Sequence, residues 1–167
     1  MSKAWKNRPR EESYTFNPAF LSSLMCDYVR EFCKAKGEAC PITYIYLFPA
    51  LSLHRQTRNR LPRRTVTSLY EWIQENEDVL VDLPRRCRAL LPLLRDGAKF
   101  ALHQQVLEFG EEHRMVIGSQ KGHFTPGFLG TVSSDVNEAV AATRFLAKWF
   151  AKSGSETSVL SGWGVRP

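Results

Sequence analysis

The sequence predicts an α+β fold that is mostly α-helical: a compact single domain with one β-hairpin. Three observations carry that reading. Apolar residues recur at three- and four-residue spacing over most of the chain, the signature of helices with one buried face. One stretch, VLEFGEEHRMVIGS, leaves that period for two short strand-like pieces around a polar turn. The chain has 167 residues, 43% of them hydrophobic and 24% charged, which matches one ordinary globular domain. Residues 1–13, MSKAWKNRPREES, offer little to bury and read as a mobile tail, leaving 14–167 as a single globular domain. Several helices, a hairpin and a glycine-containing loop are also compatible with a winged helix-turn-helix arrangement.

Each element has its own signal. Asn17 suits an N-cap, Pro18 a first helical position and Gly37 a C-cap. Between them Phe20, Leu21, Leu24, Met25, Tyr28, Val29 and Phe32 trace one helix face. Residues 41–53, PITYIYLFPALSL, are apolar throughout and cut by Pro49. Their β-branched and aromatic content allows a strand, and their length favours a buried helix broken at the proline. Thr67 or Ser68 caps a short helix carrying Leu69, Tyr70, Trp72 and Ile73. Leu83, Cys87, Leu90, Leu91 and Leu94 fall at helical spacing, and Pro92 either starts a new helix or kinks this one. Gly110 to His113 forms a four-residue hairpin turn, and SQKGHFTPGFLG is a loop. Ser134 or Asp135 then caps a helix reaching about Lys152, with Val136, Ala139, Val140, Thr143, Leu146 and Phe150 as its apolar stripe. Beyond it, Val159, Leu160, Trp163 and Val165 carry too much apolar surface for a free tail, so the C-terminal segment is expected to dock on that helix.

The net charge of +6 is concentrated in two places. HRQTRNRLPRR holds Arg55, Arg58, Arg60, Arg63 and Arg64 with no carboxylate among them. A second basic run carries Arg85, Arg86, Arg88 and Arg95, so the rest of the chain is net negative. A loop of arginines bracketed by buried segments gathers planar, five-donor guanidinium groups into a small volume, which suits phosphate or carboxylate. Two anionic partners satisfy that chemistry equally, a DNA backbone and the acidic face of a protein. Arg55, Arg58, Arg60, Arg63 and Arg64 are the primary candidates, with Arg85, Arg86 and Arg88 as a second basic patch.

Other classes find no support. No apolar run approaches the roughly 20 residues of a membrane-spanning helix, and the N-terminus lacks an apolar signal region, so a cytoplasmic protein without membrane partners is expected. Four cysteines and four histidines show no paired ligand spacing; the expectation is reduced thiols and no metal or cofactor. There is no GxxxxGK[ST] phosphate loop, no GxSxG elbow, no HExxH and no zinc-deaminase pairing. No catalytic residues are assigned, and an enzyme is not expected.

Several segments together resemble a known family. NPAF at 17–20, FPALSLHRQTRNRLP at 48–62, SLYEWI at 68–73 and RFLAKWFAKSGSETSVLSGWGVRP at 144–167 look like the middle component of bacterial three-component ABC systems. These are the Lamassu-type defence operons, where a small protein accompanies an SMC-like ATPase and a nuclease or other effector. The chain departs from that pattern at Ala147, where the family helix usually has glycine, and at Trp163 beside the terminal glycine. The resemblance implies a non-enzymatic adaptor in an anti-phage and anti-plasmid complex, bound to an SMC-like ABC ATPase and an effector. Double-stranded DNA would be met through the complex. The rival reading is a free-standing winged-helix DNA-binding regulator.

Overall fold

The computed structural model describes residues 16–166, so the tail expected over 1–13 lies outside the described residues. Helix α1, Pro18–Lys36, begins as its sequence dictates: the Asn17 side chain accepts the Ala19 N–H at 2.8 Å. It ends at Gly37, whose φ of +78° is left-handed and whose N–H reaches Cys33 O at 2.8 Å. Residues 41–53 resolve to helix: α2 spans Ile42–Ser52 with Pro49 inside it. Tyr44, Ile45, Leu47, Phe48, Ala50 and Leu51 are all buried there, so the helix is covered on more than one face. It continues past the proline because Pro49 O still accepts the Leu53 N–H at 3.0 Å.

Short helices α3 (Arg55–Arg58), α4 (Leu69–Glu75) and α5 (Asp78–Val81) connect α2 to the long α6, Leu83–His103. Of the two caps proposed for α4, Ser68 is the one used; its Oγ accepts the Glu71 N–H. Helix α6 runs unbroken through Pro92, where a start or kink was expected. Pro92 is exposed, so the carbonyl one turn earlier, deprived of its usual donor, lies on the watered face. Strands β1 (Leu107–Phe109) and β2 (Met115–Ile117) pair antiparallel, with Leu107 opposite Ile117 and Phe109 opposite Met115. Their connection is Gly110 to Arg114, one residue longer than expected, and closes with the Gly110 N–H on Arg114 O at 2.7 Å. Cys40 exchanges backbone hydrogen bonds with Met115 at 2.9 and 2.7 Å, docking the hairpin on the body.

Helix α7 (Pro126–Leu129) precedes α8 (Ser134–Lys152), which Ser133 caps, one residue before the expected position. Helix α1 packs between α8 and α6, and α2 touches both of those helices. At the centre Tyr28 stacks on Phe48 with ring centroids 4.3 Å apart, and Phe150 meets Tyr44 edge-on at 5.3 Å. The C-terminal segment is docked, as expected. It forms α9 (Glu156–Gly162), and Val159, Leu160 and Trp163 are each no more than 1% exposed.

Candidate interaction surface

His54 starts the arginine loop by capping α3: its Nδ1 accepts the Thr57 N–H at 3.3 Å and meets Thr57 Oγ1 at 2.7 Å. The five arginines that follow do not act alike. Arg58 turns inward and is buried; it donates to Leu53 O at 3.4 Å and pairs with Asp135 and Glu138 of α8. Arg60 is clamped by Asp78 and by Asn76 Oδ1, at 2.7 and 3.0 Å, while its carbonyl accepts the Trp72 indole N–H at 3.0 Å. That carboxylate pairing raises the guanidinium pKa of Arg60 and lowers the pKa of Asp78. Arg55, Arg63 and Arg64 are exposed and have no carboxylate at ion-pair distance among the described residues.

The second run divides the same way. Arg86 is half-buried and donates to Ala50 O at 2.7 Å, Thr57 Oγ1 at 3.1 Å and Val79 O at 3.1 Å. Burial lowers its guanidinium pKa below the ordinary value, and its three acceptors belong to three different elements. Arg86 is thus a strut, and its bond to Thr57 brings the two basic runs, almost thirty residues apart in sequence, side by side. Arg85 stays on the surface, 3.2 Å from Asp82, and Arg88 is exposed, its one acceptor among the described residues being Pro84 O of its own helix. The surface therefore presents Arg55, Arg63, Arg64, Arg85 and Arg88, while Arg58 and Arg86 hold it together from inside.

Apolar groups that charge counting overlooks share this region. Val66, two residues beyond Arg64, is 82% exposed, and Val81, four residues before Arg85, is 80% exposed. A groove of about 280 Å³ runs between the loop and α8, with Leu61 and Pro62 on one side and Ala141, Ala142 and Phe145 on the other. The sequence signal for it was Ala141, a small residue on the otherwise polar side of α8. Among the described residues no group of three or more His, Cys, Asp or Glu side chains is placed to hold a metal ion. No helix among the described residues is long and apolar enough to cross a membrane. All four cysteines are free, and burial pushes each thiol up, Cys26 to about 11, so they stand as thiols and not thiolates.

No curated protein and no solved structure matches the chain. A family model does, over residues 5–167, which takes in every helix among the described residues, the hairpin and both basic runs. The chain belongs to the family described as ABC-three component (ABC-3C) system Middle Component 3.

Proposed function

We propose that this middle component is a non-enzymatic adaptor, and that its arginine surface docks an acidic, partly apolar face of another protein of the system. The partner that fits best is an SMC-like ABC ATPase of the Lamassu type, with a nuclease-type effector attached elsewhere. The observation that carries this reading is the mixture of groups: Arg55, Arg63, Arg64 and Arg88, without a carboxylate partner among the described residues, beside two valines at least 80% exposed and an apolar groove. Phosphates gain nothing from exposed valine, whereas protein interfaces combine arginine with a desolvated apolar centre. To test it, the chain is co-expressed with an SMC-like ABC ATPase of a three-component system, and the quadruple change of Arg55, Arg63, Arg64 and Arg88 to Ala is compared with wild type. Loss of co-purification with an unchanged melting temperature supports the reading; full retention of the complex overturns it.

A second reading has its own observation. On the outer face of α6, Arg85, Arg88, Arg95 and Lys99 are all exposed at spacings of three, seven and four residues, a cationic line along one side of the helix. Such a line suits a DNA backbone met through the complex. In that case binding by the assembled complex falls steeply with salt, and alanine at these positions makes the slope shallower.

A further inference from the structure

We propose that the loop between β2 and α7, together with the adjoining side of α1, forms a binding cleft for a small phosphorylated ligand, its phosphoryl oxygens held by Arg30, Lys121 and His123. The cleft has a volume of about 310 Å³, and its lining includes Cys26, Arg30, Ile117, Gly118, Lys121 and His123. Three basic side chains, Arg30, Lys121 and His123, therefore border one space from two segments about ninety residues apart. Neither Arg30 nor Lys121 has a carboxylate at ion-pair distance among the described residues. The volume lies at the lower end for small-molecule sites, which admits a mononucleotide-sized compound and little more.

The loop is built, not draped. Its start is pinned by the Gly118 N–H on Val106 O at 3.0 Å and the Gln120 N–H on Gln105 O at 2.9 Å. Both glycines are required by contact: a Cβ on Gly118 would lie 2.1 Å from Gln105 O, and one on Gly122 would lie 2.6 Å from Val106 Cγ1. Its far end is held by Arg144, which donates to Phe124 O at 3.1 Å. The N–H groups of Lys121 and His123 make no backbone hydrogen bond among the described residues, so they are available as further donors.

Two acidic groups stand near. Asp27 is buried, and Arg144 binds its Oδ2 through Nε at 2.8 Å and through Nη2 at 2.7 Å, so its charge is already matched. Glu108 accepts the Ser119 N–H at 3.3 Å. One uncompensated carboxylate thus opposes the two full cations of Arg30 and Lys121. The Cys26 thiol, buried at the cleft and pushed up to about 11, is neutral and does not repel an anion. Convergent cations, open amides and a fixed loop are what phosphoryl recognition requires.

The test is calorimetric titration of the full chain with two probes, inorganic phosphate and adenosine monophosphate. Saturable one-to-one binding is expected, weakened at least tenfold by Arg30→Ala and by Lys121→Ala, and unchanged by Arg55→Ala on the arginine surface. Equal affinity for both probes would assign recognition to the phosphoryl group alone. Tighter binding of the mononucleotide would assign the Ile117 side to the rest of the ligand. Both altered residues are exposed, so a matching far-ultraviolet spectrum and melting temperature are expected for each variant. Absence of binding by either probe, or binding that survives the double change, overturns the proposal.

Discussion

Trp163 gives the sharpest test of how the C-terminal segment is held. Its indole is 1% exposed and lies 5.9 Å from Trp72, 6.0 Å from Phe150 and 6.5 Å from Trp149, centroid to centroid. Truncation to alanine removes that whole volume from a cluster of large rings. Substitutions of this kind cost about 3–5 kcal/mol. For a chain of this size each kcal/mol moves the melting temperature by about 2–4 °C, so Trp163→Ala should melt about 6–20 °C lower. The ring also carries a liability. Its Nε1 is buried without an acceptor among the described residues, and an orphaned donor costs about 1–3 kcal/mol. Trp163→Phe keeps an aromatic ring in the cluster and removes the orphan, so the two effects offset and the change should stay within about 1.5 kcal/mol of wild type. Calorimetry and urea titration on the three proteins measure this directly. An alanine variant that melts with wild type would show that α9 is not part of the cooperative core. A phenylalanine variant as damaged as alanine would show that Nε1 has a partner.

Two further perturbations separate structural from surface groups. Arg58→Ala should cost about 1–3 kcal/mol through lost packing and the bond to Leu53 O, whereas Arg55→Ala, Arg63→Ala and Arg64→Ala should each stay within about 0.5 kcal/mol; equal urea midpoints for all four would refute the division. The second concerns alkaline pH, where burial raises Cys26 from 9.0 to about 11 and also lifts Cys40, Tyr28 and Tyr44. The folded state therefore keeps protons that the unfolded chain releases, so stability is full below about pH 9 and falls as pH climbs toward 11. Cys26 alone accounts for about 2 kcal/mol of that fall by pH 11. A urea midpoint that stays flat between pH 8 and 10.5 would contradict it.

The helices were legible wherever a cap and a stripe agreed. Asn17, Pro18 and Gly37 bracket α1 because each acts on its own backbone within a few residues. The two prolines were harder, since their effect depends on what surrounds the carbonyl they leave unpaired. Pro92 sits on an exposed face and Pro49 in a core helix, and in neither place does the helix stop. Nothing local in FPALSL or RALLPLL reports that difference.

The candidate interaction surface was legible as charge and illegible as geometry. Arg58 and Arg60 are chemically identical and two residues apart, yet one finds Asp135 seventy-seven positions later and the other Asp78. Arg85 and Arg86 are adjacent, but a helix turns successive side chains by about 100°, so one faces water while the other reaches Ala50 O, Thr57 Oγ1 and Val79 O. Each basic run thus contains an arginine that is consumed in placing the rest. The consequence is mechanical. Arg86 fixes the first turn of α6 to the arginine loop, and Arg58 fixes that loop to α8, whose other end carries the platform for Trp163. A partner docked on Arg55, Arg63 or Arg88, as proposed, would bear on two struts that lead into the core, and not on a free loop. Arg86→Met, which keeps the length of the stem but not the donors, should loosen the surface without emptying the core, and so weaken partner binding with all five surface arginines still present.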